Sequence, residues 1–331
     1  MLRLPQFGIE TPSTVEEAVR LLKAPGARLV AGGTDILPNL KHLLETPSVL
    51  VSLAAVRALR EVKVEAGALV IGAAVTLTEV SEHALVREHA PSLADAAGRV
   101  AGPLHRNMGT LGGNVNLDVR CRYVNQTKFW RDALGGGCLK SEGTVCHVVP
   151  KGRNCVAALS ADTVPVLVSL DATFDLVGGE APRTTAAQDY YRADGLKHLV
   201  KEPEELMTAV RIPLATTPRR ATYTKWSVRK SIDFPLVSVA IRFDLEEDSP
   251  HSAITAAKVV VGVLAPRPRV VSKLDDVIGK KLSDPAVAKI VSEAVHKQCK
   301  PLENVPYEAP YRRSMLKVLT RRAVQALSDG A

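Results

Sequence analysis

The sequence predicts a protein of mixed helices and strands that is divided into two domains. Near the N-terminus, a predicted helix is followed by an apolar strand at 29–31, a second predicted helix and an apolar strand at 48–53, which gives a β-α-β beginning. Near the C-terminus, three strand-like runs are followed by two helices. Between these parts, residues 216–220 combine proline with polar and basic residues and form the best linker candidate. We therefore expect domains at residues 1–215 and 219–331.

The first predicted helix begins at a capping box. Ser13 is the predicted N-cap, and Glu16 follows three residues later. Apolar residues then recur on one helical face, namely Val15, Ala18, Val19 and Leu22. The second helix is predicted to run from near Pro38 to the residue before Pro47.

The middle and the end of the chain contain further predicted elements. Val62 and Val64 alternate with charged residues before the apolar residues 69–71, which predicts a hairpin. Thr76 and Glu79 have the form of a second capping box. The remaining predicted elements are a helix at 91–100, strands at 172–177, 206–212, 222–228, 236–244 and 258–263, and helices at 285–296 and 310–327.

Two glycine turns stand out in the first predicted domain. Ala31-Gly32-Gly33-Thr34-Asp35 follows the first strand, and Thr110-Leu111-Gly112-Gly113-Asn114 follows the helix predicted at 91–100. Such turns can direct successive amide N–H groups at a phosphate, and the alternative is a tight turn with no ligand. Two turns in one domain favour a site for the two halves of an extended dinucleotide. The first turn lacks G-x-G-x-x-G spacing, which disfavours a nicotinamide-binding Rossmann domain.

Four of the five cysteines lie in one irregular, glycine-rich segment. Cys121, Cys138, Cys146 and Cys155 are separated by sixteen, seven and eight residues. A long irregular segment needs more than apolar packing to hold it, and four thiolates on a metal centre would do so. Because no C-x-x-C pair is present, the spacing does not decide between three interpretations: an iron–sulfur cluster, a zinc site and unrelated cysteines. Cys299 lies near a predicted C-terminal helix, and we expect it to be a structural thiol.

Two histidines adjoin these candidate sites. His147 follows Cys146 and is either a neighbour or ligand of a cluster or a solvated loop residue. His105 precedes the second glycine turn and is either a neighbour of the cofactor or an ordinary packing residue.

The composition limits the class of function. The chain has 331 residues and a net charge of +8, which suits nucleic acid, an anionic ligand or an acidic protein partner. No nucleic-acid-binding motif is present, so we expect no nucleic acid partner. No apolar run is long enough to span a membrane and no signal peptide is recognised, so we expect a cytoplasmic protein. The sequence also lacks a nucleophile–base motif, which favours chemistry carried by cofactors.

The two glycine turns resemble the flavin-binding signatures of the FAD subunits of molybdenum hydroxylases, a family that includes xanthine dehydrogenase and aerobic carbon monoxide dehydrogenase. The resemblance covers nearly the whole chain and includes residues 12–18, 162–165 and 225–235. It implies an α+β fold. The FAD-binding domain at 1–215 would be of the vanillyl-alcohol oxidase / p-cresol methylhydroxylase type, and residues 219–331 would form an antiparallel sheet with helices.

The resemblance also implies the cofactor-binding residues. The first turn would wrap the pyrophosphate and ribityl chain of FAD, the second would hold its other side, and two further positions would contact the flavin. These residues are Leu29, Val30, Ala31, Gly32, Gly33, Thr34, Asp35, Gly109, Thr110, Gly113, Asn114, Asp162 and Lys225. Several relatives have His-Ser in place of Thr34-Asp35, so backbone contacts carry over better than side-chain contacts. No residue of this chain is expected to be catalytic.

Residues 119–157 distinguish this chain from most of that family. The segment resembles the insert of the β subunits of 4-hydroxybenzoyl-CoA reductases, in which four cysteines bind a [4Fe-4S] cluster. The resemblance therefore implies that Cys121, Cys138, Cys146 and Cys155 are cluster ligands.

An electron-relay subunit of an oxidoreductase is the implied function. Electrons would pass from a donor such as ferredoxin through [4Fe-4S] and FAD to a [2Fe-2S] subunit and a molybdenum-cofactor subunit. The last would remove the phenolic hydroxyl of 4-hydroxybenzoyl-CoA reductively, in anaerobic aromatic degradation, within a dimer of heterotrimers. The alternatives are the FAD subunit of another molybdenum hydroxylase and a zinc-stabilised basic binding protein.

The cysteine segment is also strongly basic. We interpret the excess either as compensation for an anionic cluster or as a docking face for an acidic electron donor. Between Val119 and Cys155 the basic residues are Arg120, Arg122, Lys128, Arg131, Lys140, Lys151 and Arg153, and the acidic residues are Asp132 and Glu142.

Overall fold

The computed structural model of the chain describes residues 2–329. Within these residues, three β-sheets of three, five and four strands carry the fold. The first two sheets belong to the N-terminal part of the chain and the third to the C-terminal part. None of the helices in this described part is both long enough and apolar enough to cross a membrane.

The N-terminal sheet confirms the predicted β-α-β beginning. Its three parallel strands are arranged in the order first, third, second, so the two strands around the second helix are direct neighbours. Its elements are β1 (Gly8–Glu10), α1 (Val15–Leu22), β2 (Ala27–Val30), α2 (Ile36–Lys41) and β3 (Val49–Ser52).

The start of α1 corrects the predicted cap by one residue. Thr14, not Ser13, is the N-cap, and its side-chain oxygen accepts a hydrogen bond from the Glu17 amide at 3.2 Å. The Glu17 carboxylate accepts a hydrogen bond from the Ser13 amide at 2.9 Å. The Ser-Thr pair fits two capping registers, and the observed one buries Ala18 and Leu22.

The second helix starts earlier and ends earlier than predicted. α2 begins at Ile36, two residues before Pro38. Proline is tolerated there because the first turn of a helix has no intrahelical use for its N–H. The helix ends at Lys41, and Leu43 adopts a φ of 55°, which an α-helix cannot continue.

The second sheet is antiparallel and contains strands β4 (Val62–Glu65), β5 (Ala68–Gly72), β6 (Thr173–Val177), β7 (Arg183–Ala186) and β8 (Leu206–Pro213). Their order in the sheet is β4-β5-β8-β6-β7. This confirms the predicted hairpin and the two predicted strands that follow. Seven helices of the described chain lie between β5 and β6: α3 (Leu77–Glu82), α4 (Ala84–His89), α5 (Pro91–Gly98), α6 (Pro103–Arg106), α7 (Leu111–Val115), α8 (Lys128–Ala133) and α9 (Thr163–Ser169).

Helix α8 lies in the cysteine segment and was not predicted. Thr127 caps it by accepting a hydrogen bond from the Trp130 amide at 3.3 Å. Arg131 is buried and donates to the carbonyls of His42 at 3.0 Å and Gln126 at 2.7 Å. A buried guanidinium therefore holds this segment to the residues that follow α2.

The C-terminal part is an antiparallel sheet with two helices, as predicted. Its strands have the order β12-β11-β10-β9. In the described part of this sheet, the two-residue strand β12 is the one strand that the sequence pattern did not predict. The elements are β9 (Arg219–Trp226), β10 (Val237–Leu245), β11 (Ile254–Gly262), β12 (Arg269–Val270), α10 (Pro285–Gln298) and α11 (Ala309–Asp329).

The C-terminal sheet is buried on both faces at its centre. Every residue of β10 is buried. Ala240 and Val260 join the core of the N-terminal part, to which α9 also belongs. Val239 and Val261 join a second core with α10 and α11. The N-terminal core therefore packs on one face of this sheet, and α10 and α11 pack on the other.

Candidate cofactor site

A cavity of about 760 Å³ lies where the two glycine turns meet. The structure brings all of the predicted cofactor residues to its wall except Lys225. The predicted residues that line it are Leu29, Val30, Ala31, Gly32, Gly33, Thr34, Asp35, Gly109, Thr110, Gly113, Asn114 and Asp162. His105, which precedes the second turn, also lines the cavity.

The two turns touch each other through their backbones. A Cβ atom on Gly32 would lie 1.8 Å from the Met108 carbonyl oxygen, so only glycine fits there. A Cβ atom on Gly109 would lie 3.3 Å from the Thr34 side-chain oxygen. Gly33 has a φ of +72°, a left-handed conformation that favours glycine. Turns that are far apart in the sequence thus form one continuous wall.

The second turn continues into α7. Thr110 caps this helix, and its hydroxyl accepts a hydrogen bond from the Gly113 amide at 3.0 Å. A Cβ atom on Gly113 would meet only the Thr110 oxygen, at 3.1 Å. Asn114 accepts hydrogen bonds from the amide and hydroxyl of Thr163, at 3.2 and 2.6 Å. Gly113 therefore presents bare backbone to the cavity, whereas the Asn114 side-chain oxygen is occupied by α9.

Lys225 reaches the cavity only through Asp162. Its ammonium group lies 3.0 Å from the Asp162 carboxylate and donates to the Arg99 carbonyl at 2.9 Å. The Tyr223 hydroxyl donates to the same carboxylate at 2.7 Å. Burial raises the pKa of Asp162, and the neighbouring Lys225 charge opposes that rise. This buried pair joins β9 of the C-terminal sheet to the cavity wall.

Several basic side chains that line the cavity were not predicted from the sequence. Lys201 lines it, and burial lowers the pKa of this lysine to about 8. Its ammonium group donates to the carbonyls of Glu205 at 2.8 Å and Glu202 at 3.0 Å. Other basic side chains on the same wall are Arg28, Arg192, Lys197 and His198. No motif marks these residues. Arg192, Lys197, His198 and Lys201 come from the loop between β7 and β8, far from either glycine turn, and Arg28 lies in β2, just before the first turn.

Arg120, at the start of the cysteine segment, contacts the first turn and was also missed as a site residue. It forms an ion pair with Asp35 and donates to Asn39 at 2.9 Å. Burial lowers the pKa of Arg120 to about 10, so the guanidinium stays charged at neutral pH.

The four grouped cysteines line a second, small cavity. Cys121, Cys138, Cys146 and Cys155 share this cavity with Tyr123, Val124, Leu139, His147, Val148, Val156 and Ala157. Burial raises the pKa of the Cys121 thiol to about 11 and also raises that of Cys155. Within residues 2–329, no group of three or more His, Cys, Asp or Glu side chains is arranged to hold a single metal ion.

His147 projects a buried ring nitrogen beside the cysteines. Its Nε2 atom has no hydrogen-bond partner in the part of the chain that the structure describes. The ring packs against Tyr123, with ring centroids 5.3 Å apart. A buried nitrogen without a partner is costly unless a ligand supplies one.

Cys299 lies apart from the other cysteines. It follows α10, is fully buried and belongs to the C-terminal core. Burial raises the pKa of this thiol to about 12. Its position fits the predicted structural role.

Comparison with known proteins identifies the family of both parts of the chain. Residues 5–215 match the FAD binding domain in molybdopterin dehydrogenase. Residues 222–327 match the CO dehydrogenase flavoprotein C-terminal domain.

Individual relatives agree with these matches. The chain is 29% identical to the carbon monoxide dehydrogenase medium chain of Afipia carboxidovorans, over 96% of both chains. It is 31% identical to the aldehyde oxidoreductase FAD-binding subunit of Escherichia coli, over 70% of this chain and 74% of that one. A chain of the solved Cu,Mo-CO dehydrogenase superposes with a TM-score of 0.80 and 25% identity, covering 99% of this chain and all of the other.

The family match and the cavity between the glycine turns lead to the same cofactor. FAD is the dinucleotide that the matched N-terminal domain binds. The chain belongs to the family of FAD-binding subunits of molybdenum hydroxylases, and it is an oxidoreductase subunit.

Proposed function

We propose that this chain is the flavin and iron–sulfur subunit of a molybdenum-containing 4-hydroxybenzoyl-CoA reductase. FAD would occupy the cavity between the glycine turns, in a domain of the vanillyl-alcohol oxidase type. A [4Fe-4S] cluster would be held by Cys121, Cys138, Cys146 and Cys155. The observation that carries the proposal is that these four cysteines, spread over 35 residues, line one cavity.

The residues of the first cavity fit FAD. Gly113 leaves the α7 side open for a close backbone approach, and Gly33 holds the first turn in its left-handed conformation. Lys201 and the other basic side chains suit an anionic pyrophosphate. When bound, FAD supplies a carrier that accepts and releases electrons singly or in pairs.

The residues of the second cavity fit an iron–sulfur cluster. Thiols are the usual ligands of such clusters, and N–H groups that point at the sulfur atoms tune them. The Val149 amide already donates to the Cys146 sulfur at 3.4 Å. Nε2 of His147 is buried beside the cysteines and would find a partner in a cluster sulfur.

The two cavities are connected through short stretches of chain. Asp118 lines the cofactor cavity, and Cys121 follows it by three residues. The Cys155 amide donates to the Asp194 carboxylate at 3.0 Å, and Leu196 lines the cofactor cavity two residues later. This proximity supports an electron relay between the two centres.

The electron donor and the partner subunits belong to the same proposal. We expect a [2Fe-2S] subunit, a molybdenum-cofactor subunit, a dimer of heterotrimers in the cytoplasm, and an acidic donor such as ferredoxin. We expect only part of the basic segment to form the docking face, because the charge of Lys128 is paired with Asp132 and Glu142. Lys140 pairs with Asp118, and both Arg120 and Arg131 are buried in the domain. The exposed basic residues that remain are Arg122, Lys151 and Arg153.

A second candidate is the FAD subunit of a molybdenum hydroxylase that oxidises its substrate. The observation that favours it is the similarity to the carbon monoxide dehydrogenase and aldehyde oxidoreductase subunits. These two proposals differ in the cysteine centre and in the direction of the reaction. A zinc-stabilised cysteine segment is a further outcome of the test below.

The test is anaerobic purification of the chain with its accompanying subunits, followed by metal, FAD and activity measurements. We expect bound FAD, molybdenum, and four iron atoms per chain beyond those of the [2Fe-2S] subunit. Reduced donor should convert 4-hydroxybenzoyl-CoA to benzoyl-CoA. Cys146→Ser should lose the extra iron, whereas Cys299→Ser, the matched control, should keep it.

Each contrary result has a distinct meaning. Wild-type iron content in Cys146→Ser would remove this residue from the ligand set. Zinc in place of the extra iron would overturn the iron–sulfur assignment. A complex that oxidises an aldehyde or carbon monoxide but leaves 4-hydroxybenzoyl-CoA unchanged would favour the second candidate.

A further inference from the structure

Arg120 closes the base of the cysteine segment. Its amide donates to the Ala158 carbonyl, and its carbonyl accepts from the Ala158 amide, both at 2.7 Å. Residues 120 and 158 lie at the two ends of the segment, so this bridge brings the ends together. The backbone of Arg120 is therefore fixed one residue before Cys121.

The side chain of Arg120 extends away from the cysteines to the first glycine turn. It pairs with the Asp35 carboxylate and donates to the Asn39 side chain at 2.9 Å. The guanidinium also lies over the Phe234 ring, 5.0 Å from its centroid. Only 13% of the Arg120 side chain is exposed. One residue thus contacts the cysteine segment, the glycine turn and the C-terminal part.

Asp35 presents an electrostatic problem for the proposed cofactor site. Its side chain is 26% exposed and lines the cavity in which we place the FAD pyrophosphate. A carboxylate beside a pyrophosphate repels it, and the repulsion is strong where water is partly excluded. Among the residues that the structure describes, Arg120 is the one cation that forms an ion pair with Asp35.

We propose that Arg120 is a positioning residue that neutralises Asp35, so that the first glycine turn accepts the FAD pyrophosphate, and that it anchors the cysteine segment to this turn. This inference rests on the proposed cofactor site and adds a residue to it. It makes flavin binding dependent on the charge of a residue in the cysteine segment.

The test is an FAD titration of deflavinated protein, purified with any subunits that accompany it. Arg120→Gln should raise the FAD Kd at least tenfold, which corresponds to about 1.4 kcal/mol. Arg120→Lys keeps the charge and loses the planar fork, so it should bind FAD more tightly than Arg120→Gln. Arg120→Gln with Asp35→Asn removes both charges and should return the Kd to within about twofold of wild type, near the usual error of additivity.

The double variant separates charge from structure. A residue that only supports the fold would not be rescued by Asp35→Asn, so a double variant as weak as Arg120→Gln overturns the proposal. An Arg120→Lys protein that binds FAD as weakly as Arg120→Gln overturns it as well. If Arg120→Gln alone does not accumulate as folded protein, the double variant decides: an FAD Kd within about twofold of wild type supports the proposal, and a Kd raised about tenfold or more overturns it.

Failure of this inference is distinguishable from failure of the site. A wild-type FAD Kd in Gly113→Val would overturn the proposed cavity. A wild-type Kd in Arg120→Gln, together with a raised Kd in Gly113→Val, would leave the cavity intact and overturn only the role of Arg120. If Arg120 anchors the cysteine segment, Arg120→Gln should also lose iron, and wild-type iron content in that variant would overturn this part of the proposal.

Discussion

Gly113→Val should weaken FAD binding while the fold is kept. Gly113 lies in α7, where valine has a higher helix propensity than glycine by roughly 0.5 kcal/mol. Its Cβ atom would meet only the Thr110 oxygen at 3.1 Å, which requires a shift of a few tenths of an ångström. These small effects oppose each other, so the free energy of unfolding should change by less than about 1 kcal/mol.

The cofactor should experience a larger effect. The valine side chain would occupy cavity space that glycine leaves to the ligand, and forcing extra methyl groups into a close contact costs about 1–3 kcal/mol. The Kd for FAD should therefore rise between about 5-fold and 150-fold. The assay is an FAD fluorescence titration, with thermal unfolding measured on the same samples.

Gly98→Val is the matched control. Gly98 also lies in a helix, and its Cβ atom would make only an ordinary contact, 3.6 Å from the Ser81 Cβ atom. It does not line the cofactor cavity. If Gly113→Val and Gly98→Val bind FAD with the same Kd, the α7 wall is not the cofactor contact that we infer.

Three further predictions concern charged groups. Because burial lowers the Lys201 pKa to about 8, the charged form of Lys201 destabilises the fold. Lys201→Met should therefore raise the unfolding temperature of FAD-free protein below pH 8, and this gain should vanish as the pH rises towards 10.5. A constant gain across that range would contradict the assignment. Glu205→Gln should lose about 1–2 kcal/mol in urea unfolding at pH 7, because Arg183 lowers the pKa of Glu205 by hydrogen bonding. The difference from wild type should shrink as the pH falls below 4.5 and acid protonates Glu205, and a difference that stays constant would refute this. Charge reversal at Lys151 and Arg153 should slow reduction of the protein by ferredoxin at low salt but leave reduction by a small uncharged reagent unchanged. Equal rates of ferredoxin-dependent reduction in variant and wild type across a salt titration would exclude these two residues from the docking face.

Most of the fold could be predicted from periodicity and turn residues. Strands such as β10 have long apolar runs, and the Thr76 capping box marks the start of α3. The cap of α1 was wrong by one residue, because Ser13 and Thr14 both offer a hydroxyl and only packing of the helix face selects between them. Helix α8 was missed because its six residues are too few to show a helical period.

The site was predictable where function depends on backbone. Gly32 and Gly113 mark positions where a side chain would collide or fill space, and this requirement is visible in the sequence as paired glycines. The contact of Arg120 with Asp35 depends on chain segments that meet only in the fold, and so does the position of Lys201 on the cavity wall beside the glycine turns. Residue type and spacing contain no signal for such long-range pairs.

The position of β10 between two cores has a consequence for how the protein unfolds. Removing the C-terminal part would expose the residues of the N-terminal core that pack against Ala240. It would also remove the ion pair between Asp162 and Lys225 and take Phe234 out of the cavity wall. Neither part should therefore melt alone, and heat should produce one cooperative transition. An isolated N-terminal fragment should bind FAD weakly even with both glycine turns intact, because one side of its binding site is supplied by sequence more than a hundred residues further along the chain.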